Sequence, residues 1–231
     1  MIGITIGEKH TWKDFGLKWS SVKVGMPSAK TNMIDTPGGD GMLDLTEALN
    51  GRVRYGTRTL EFGFDLPDRN FEAWSVKVSQ IASYIHGQKL KFILDTDPGY
   101  FYYGRAEIDM AKSDREGSTV TIKVTADPYK YELASSTEDW LWDTLNFETG
   151  SVRETSGIVV DGTAEITIPE TRRPVVPKFI CSAAMTVTFK GTDYQLPVGE
   201  SENVFIEFYE EVTLTFKGTG TVSIEYQGGV L

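Results

Sequence analysis

The sequence contains very few of the residues that build disulfides and metal sites. Its 231 residues include one cysteine, Cys181, and two histidines, His10 and His86. One cysteine forms no intrachain disulfide, and two histidines with one cysteine cannot complete a Cys/His zinc site. Because Cys181 lies in an apolar run, we expect it to be a small buried hydrophobic residue. We therefore predict neither a metal nor a cofactor.

Catalytic motifs are also missing. The chain has no GxSxG elbow, P-loop, HExxH or GxGxxG sequence. His10 lies in a polar stretch and His86 follows a predicted helix, so we interpret both as surface or helix-end histidines. Neither has a nucleophile nearby in the sequence. We therefore predict that the protein is not an enzyme and assign no catalytic residue, which leaves a glycan hydrolase as the weakest of the alternatives.

Long apolar runs and an excess of positive charge are absent too. No stretch approaches the ~18 apolar residues of a membrane span, and the N-terminal residues lack the basic start and apolar core of a signal peptide. Lys and Arg number 23 against 33 Asp and Glu, which gives a net charge of −10. Phosphate binding needs clustered basic residues. We therefore expect a soluble protein that binds neither nucleic acid nor a membrane.

The negative charge is divided unevenly along the chain. Residues 1–133 hold 17 Lys and Arg against 18 Asp and Glu, a net of −1, whereas residues 134–231 hold 6 against 15, a net of −9. The polar segment ELASSTEDW lacks strand alternation, and we place a junction near Leu133 to Glu138. The pattern predicts two domains, 1–133 and 134–231, with different surfaces.

What the chain does have is glycine, with 23 residues, and aromatic residues, at 12%. Both favour strands joined by tight turns. In the first domain, ITI near the start is a short strand, and KLKFILD and YFYYGRAEIDM are strands on either side of the turn DTDPG. Two further strands are predicted by apolar residues at every second position. They are marked by Leu60, Phe62, Phe64 and Leu66, and by Val120, Ile122 and Val124.

A single helix is predicted in this domain. Its apolar residues follow spacings of three and four, which places them on one face. They are Phe71, Trp74, Val78, Ile81 and Ile85. Asp68 is a candidate N-cap and Gly87 a candidate C′ residue. The helix is expected to cover one face of a sheet, which gives an α+β first domain.

The second domain is predicted to consist of strands throughout. Alternation recurs at Ala164–Ile168, Met185–Phe189, Val212–Phe216 and Val222–Tyr226. Turns are expected at Lys190-Gly191-Thr192-Asp193 and at Lys217-Gly218-Thr219-Gly220. Short strands at this spacing indicate a β-sandwich, so the whole protein is predicted to be mainly β.

Two clusters of acidic residues are candidate sites. Asp95 and Asp97 are interpreted as turn residues whose carboxylates bond nearby amides, in preference to a catalytic or metal-binding pair. Asp35, Asp40 and Asp44 surround TPGGDG but do not match the calcium-loop pattern, so we expect a glycine turn that leads into a strand.

Two further groups are weighed in the same way. The run of aromatic residues from Tyr100 to Tyr103 would be split between the two faces of a strand. Packing in a core or an interface is favoured over a sugar-stacking platform. Arg172 and Arg173 are expected to pair with carboxylates of the acidic second domain.

Four segments, in order, resemble the distal tail protein family of long-tailed bacteriophages that infect Gram-positive bacteria. The first is WKDFGLKWSSV, with its Asp-Phe-Gly-Leu, and the second is PGGDGMLDLTEALNGRVRYGTRTLEFGFDL. The third is IASYIHGQKLKFILDTDPGYFYYGR, and the last is ADPYKYE, the exit from the domain. The resemblance covers about the first 133 residues. In the second half, RRPVVPKF and GTGTVSIEYQGGVL are similar to the family's galectin-like domain.

The resemblance implies a fold and a role. The fold is an N-terminal β-sandwich or split barrel with one covering helix, followed by a galectin-like β-sandwich. The role is a structural one, in a homohexameric ring at the tail tip of the virion, made in the host cytoplasm. The ring would join the major tail tube protein to the tail-associated hub or tail fibre protein, and its outward C-terminal domains would hold receptor-binding or baseplate proteins.

The alternative function is a carbohydrate-binding module that acts in host adsorption, because galectin-like sandwiches can bind sugars. Trp140 and Trp142 are the only tryptophans after residue 133, and both lie near the predicted junction.

Overall fold

In a computed structural model, which describes residues 2–49, 51–66, 71–112, 118–133, 136 and 155–231, most of the predicted strands are present. The chain forms two compact units. The first comprises the residues up to Asp97, Phe101–Lys130 and Leu231; the second comprises Pro98–Tyr100 and Tyr131–Val230. The prediction of a mainly β protein is confirmed. The galectin-like form of the second unit stays a prediction.

Antiparallel strands form the main sheet of the first unit, in the order β2-β1-β9-β10-β11-β8-β3. The period-2 residues point into one core, where Leu60, Phe62 and Phe64 are at most 1% exposed. The strands are β1 (Ile4–Ile6), β2 (Lys9–His10), β3 (Lys18–Val24), β8 (Arg58–Leu66), β9 (Lys89–Leu94), β10 (Tyr100–Lys112) and β11 (Ser118–Ala126). Four shorter strands lie between β3 and β8, namely β4 (Ala29–Lys30), β5 (Met33–Asp35), β6 (Met42–Asp44) and β7 (Arg54–Tyr55).

The predicted helix is confirmed as α1 (Phe71–Ile85). Ile81 and Ile85 are fully buried, and Trp74 and Val78 pack partly buried against the same core. Gly87 adopts φ +74°, the left-handed conformation that ends a helix. The candidate N-cap, Asp68, lies outside the described residues. No helix of the described residues is both long and apolar enough to span a membrane.

The second unit is built around one long strand. β18 (Val212–Glu225) pairs with β13 (Ile158–Ile168) on one side, and with β14 (Lys178–Cys181) and β15 (Met185–Phe189) on the other. β16 (Thr192–Leu196) pairs with β15, β17 (Gly199–Glu202) pairs with β14, and β13, β16 and β17 are the edge strands. Two short strands complete the unit, β12 (Lys130–Glu132) and β19 (Gly229–Val230), which pair with each other.

One predicted turn in this unit is wrong. Lys217–Gly220 does not separate two strands, because β18 continues through it in register with Thr163 and Gly162. The two glycines there serve close packing instead of a turn. A Cβ on Gly218 would lie 2.9 Å from the Met185 Cβ, and one on Gly220 would lie 2.7 Å from the Ser182 Oγ. The other predicted turn, at Lys190 and Gly191, is present with φ 49° and 79°.

A similar close approach fixes the spacing of two strands in the first unit. Gly104 on β10 lies opposite Ala126 on β11. A Cβ at Gly104 would lie 2.7 Å from both the Ala126 Cα and the Thr125 carbonyl oxygen. Because these are backbone atoms of a paired strand, they cannot move aside as a flexible side chain can.

Gly104→Ala is therefore expected to destabilise the protein by about 1–3 kcal/mol, the usual penalty for overpacking a filled core. Denaturant unfolding followed by tryptophan fluorescence measures the change. Gly99→Ala is the control, since a Cβ at Gly99 would meet nothing within 4 Å. Equal stability of the two variants would show that β10 and β11 are not held at this spacing.

Candidate interaction surface

Between β3 and β8 the chain extends away from the sheet of the first unit, and we call residues 25–57 the arm. At its root, Gly25 N donates to Thr59 O at 2.9 Å. Farther along, β4 pairs with β7 and Gly56 N donates to Ser28 O at 2.8 Å. The outermost part is the hairpin of β5 and β6. The arm is thus a ladder of two chain segments joined by their own hydrogen bonds.

The tip of the arm is the glycine turn that the sequence predicted. Gly39 N donates to Thr36 O at 3.0 Å, and Gly38 and Gly41 adopt φ +82° and +80°. Past β6, Asp44 Oδ1 accepts a hydrogen bond from Thr46 N at 2.9 Å. Hydrogen bonding to Thr46 lowers the pKa of the Asp44 carboxyl. Among the described residues, no group of three or more His, Cys, Asp or Glu side chains is placed to hold a metal ion.

Large apolar side chains of the arm are exposed to solvent. Their exposed fractions range from 45% to 91%, whereas the core residues of β8 are almost fully buried. They are Met26 77%, Met33 45%, Ile34 46%, Met42 63%, Leu43 54% and Leu49 91%. Isolated exposed apolar residues are ordinary, whereas larger exposed apolar patches are typical of interaction surfaces.

Both faces of the outer hairpin contribute to this surface. Ile34 lies opposite Leu43 on one face, and Met42 lies opposite Asp35 on the other. A two-stranded hairpin is at best marginally stable in water without a packed face. The hairpin therefore gains stability from any surface that covers it.

Sequence reasoning identified the glycine turn but missed the exposure of the residues around it. The available signal was the distribution of methionine, because three of the six methionines of the chain, Met26, Met33 and Met42, lie within 17 positions. Methionine side chains are flexible and polarisable, and they are frequent at adaptable binding surfaces.

His10 and Asp95 are brought together, although 85 positions separate them. Asp95 Oδ2 accepts hydrogen bonds from Gly3 N at 2.8 Å and from His10 Nε2 at 3.1 Å. His10 Nδ1 accepts from the amides of Trp12 and Lys13, so the ring proton is carried by Nε2. The pair ties the hairpin of β1 and β2 to the turn that follows β9.

These positions correct two expectations. His10 is 8% exposed and is not a surface residue, because the hairpin folds its ring onto Asp95. The Asp95 carboxylate bonds an amide that is distant in sequence, and Asp97 Oδ2 accepts from Lys130 Nζ at 2.6 Å, where amides of the turn itself were expected. His86 is exposed at the helix end as predicted, and its Nδ1 accepts from Ile108 N at 3.2 Å.

The aromatic run is divided between the two faces of β10, as predicted. Tyr102 is 6% exposed and belongs to the core. On the other face, Lys91 Nζ lies 4.7 Å from the centre of the Phe101 ring and Lys89 Nζ lies 4.5 Å from that of Tyr103. One face of each of these rings is thus covered by an ammonium group, which leaves less ring surface for stacking on a sugar.

Three candidates of the second unit have structural roles. Cys181 is 2% exposed, and burial raises the pKa of its thiol, which fits the predicted hydrophobic role. Arg172 pairs with Glu170 at 3.6 Å on the surface. Arg173 differs from the expected carboxylate pairing, since its Nη1 donates to Gln227 O and its guanidinium lies 4.9 Å from the centre of the Tyr131 ring.

A second exposed apolar feature follows β17, and we call residues 203–206 the Val-Phe turn. Asn203 Oδ1 accepts from Phe205 N, and Ile206 N donates to Asn203 O, both at 3.0 Å. Val204 is 74% exposed and Phe205 is 73% exposed. Residues 198–211 contain five glutamates and no Lys or Arg, so the turn lies within a strongly negative stretch.

The comparison with solved structures gives a match over the full length. No protein-family model matches the sequence, and no curated protein sequence does. One matching solved structure is that of SPP1 Dit (gp 19.1), described as a paradigm of the hub adsorption apparatus in Gram-positive infecting phages. The two chains align over 100% of each, with a TM-score of 0.64 and 13% sequence identity.

This chain has the fold of SPP1 Dit. The structural neighbour is a distal tail protein of a phage that infects a Gram-positive host, which is the family that the sequence segments resemble. The shared fold extends through the second half, where the sequence resemblance was weakest.

Asp95→Ala is expected to destabilise the protein by about 1–3 kcal/mol, because the buried His10 Nε2 and the Gly3 amide lose their acceptor. Urea unfolding provides the measurement. Asp109→Ala is the matched control, since this carboxylate is exposed on β10 and its loss is expected to change stability by about 0.5 kcal/mol or less. If Asp95→Ala is as stable as the wild type, the pair does not hold the N-terminal hairpin.

Proposed function

We propose that this chain is a structural component of a bacteriophage tail tip, where it forms a homohexameric ring within the virion. Two findings support the proposal. The fold matches SPP1 Dit over the full length of both chains. The sequence segments that resemble distal tail proteins also follow one another in the family's order.

The exposed arm is the observation that carries the proposal. Its six large apolar side chains are between 45% and 91% exposed, on a ladder that packs few of them itself. Contact between the arm of one copy and a different surface of the next is heterologous. Such contacts close into a ring when the rotation per copy divides a full turn.

In this proposal the ring joins two larger assemblies. The major tail tube protein binds on one side, and the tail-associated hub or tail fibre protein binds on the other. Receptor-binding or baseplate proteins attach to the second unit. The net charge of −9 over residues 134–231 and the exposed Val-Phe turn suit a partner with basic residues around an apolar pocket.

We also propose that the role is structural and not enzymatic. The Asp95 carboxylate is engaged with His10 Nε2 and Gly3 N, and Asp97 with Lys130, in contacts that hold the fold. The alternative, a carbohydrate-binding module, has less support, because Lys89 and Lys91 cover the rings of Tyr103 and Phe101. The two tryptophans of the second half lie outside the described residues.

Light scattering and electron microscopy of the purified full chain test the proposed function. We expect a hexamer at high protein concentration, with six-fold class averages of a ring. A monomer at every accessible concentration, together with tails in which this chain forms no ring, would contradict it. A sugar array addresses the alternative, which gains support only if the protein binds a glycan and stays monomeric.

The double substitution Ile34→Ser and Leu43→Ser is expected to weaken assembly without unfolding the chain. Both side chains are already about half exposed in the monomer, so their loss removes burial in the assembly of about 1 kcal/mol or more for each side chain. Sedimentation velocity over a concentration series measures the shift towards monomer.

Val159→Ser is the control for this pair. Val159 is 71% exposed and belongs to the second unit, whereas the arm belongs to the first. Its substitution is expected to leave the oligomer unchanged. An assembly that tolerates the arm substitutions as well as it tolerates Val159→Ser would exclude the arm as the contact surface.

A further inference from the structure

Arg58 is a charged residue on the buried face of β8, where the other side chains are apolar. The buried face of this strand carries Leu60, Phe62, Phe64 and Leu66, and Arg58 is the first member of the same series. Its exposed fraction is 2%, and it is among the largest fully buried side chains of the described residues. The whole side chain, including the guanidinium, is therefore removed from water.

The contacts of this guanidinium are weak ones. Nη2 donates to the Met26 sulfur at 3.4 Å, and Cζ lies 5.5 Å from the centre of the Tyr102 ring. Nε is buried without a hydrogen-bond partner, and no carboxylate of the described residues forms an ion pair with Arg58. Burial lowers the pKa of the guanidinium, an effect that the Tyr102 phenol partly opposes.

A buried cation normally has an anion beside it. Removing a charge from water is expensive, and buried charges in proteins are paired or bind a metal. A thioether is a weak acceptor and carries no charge. The guanidinium of an arginine presents a planar set of donors that fits a carboxylate with two parallel hydrogen bonds. Arg58 thus lacks the ligand that its chemistry suits best.

Arg58 contacts the arm at its root. Met26, the residue that contacts Nη2, is itself 77% exposed and follows directly on Gly25, which is hydrogen-bonded to Thr59. The exposed apolar residues of the arm begin at this same methionine, so the position is continuous with the surface assigned to contact between copies.

We propose that Arg58 receives a carboxylate from a second copy of this chain, which replaces the Met26 sulfur as the acceptor when the arm docks. The inference rests on the proposed self-assembly. The chain is rich in carboxylates, with 33 against 23 basic side chains, so a second copy supplies the anion without any further ligand. In the monomer Arg58 is an uncompensated charge, and in the assembly it becomes half of an ion pair.

The substitution Arg58→Met is expected to affect the monomer and the assembly differently. Methionine is unbranched and apolar, so it suits the buried face of β8 but cannot bind a carboxylate. We expect the dilute monomer to melt at the same temperature as the wild type or higher, since an unpaired buried charge is removed. The dissociation constant of the assembly is expected to rise about tenfold or more, equivalent to about 1.4 kcal/mol. Arg58→Lys keeps the charge but loses the planar set of donors. Its dissociation constant is expected to lie between those of the wild type and Arg58→Met.

Lys123→Met is the matched control, because Lys123 is exposed on the neighbouring strand β11 and also loses one positive charge. Melting of the dilute proteins and sedimentation at rising concentration provide both readouts. The inference alone is overturned if Arg58→Met assembles like the wild type, or if the dilute variant unfolds or loses stability. A wild type that never assembles overturns the proposed function and this inference together, so the two failures are distinguishable.

Discussion

The large apolar side chains of the arm are exposed in the isolated chain, and the proposed function depends on their burial in an assembly. A sheet strand normally turns its apolar face to a core, as β8 does with side chains at most 2% exposed. The hairpin of β5 and β6 has apolar residues on both faces and is covered on neither. Burial of such side chains releases about 25 cal/mol for each Å² of apolar surface. In the proposed ring, a neighbouring copy of the chain supplies the surface that buries these side chains.

The rest of the first unit provides a rigid base for the arm. Its sheet is closed over one core by α1, and close contacts such as Gly104 against Ala126 fix the strand spacing. The Asp95–His10 hydrogen bond joins the first residues of the chain to the turn after β9. Against this base, Arg58 marks the position where the arm begins. The buried Arg58 has no anion beside it, and the methionines farther along the arm have no apolar surface packed against them. In the proposed assembly, one contact between copies meets both needs.

Periodicity in the sequence was sufficient for most of the fold. Alternation predicted β8, β11 and, in the second unit, β15 and parts of β13 and β18. The three-four spacing predicted α1, because burial on one face is a local pattern. Periodicity failed at Lys217–Gly220, where glycines permit close packing and not a turn, since that distinction depends on residues such as Met185 on another strand. His10 was misassigned to the surface and Arg58 was not noticed for the same reason. Burial of a polar side chain is decided by partners distant in sequence. The resemblance to distal tail proteins, in contrast, correctly predicted the structural neighbour.

Amide hydrogen exchange of the full chain, measured at dilute and at assembling concentrations, shows whether the arm is the surface that becomes buried on assembly. Exposed backbone hydrogen bonds of a marginal hairpin open readily, whereas those in a packed interface open only with the assembly. We expect the amides of Met33–Asp35 and Met42–Asp44 to exchange fast in the dilute protein and to become strongly protected on assembly, while the amides of β18 stay protected throughout. Assembly that leaves the exchange of the arm unchanged would exclude the arm as the contact surface and assign the contact to another surface.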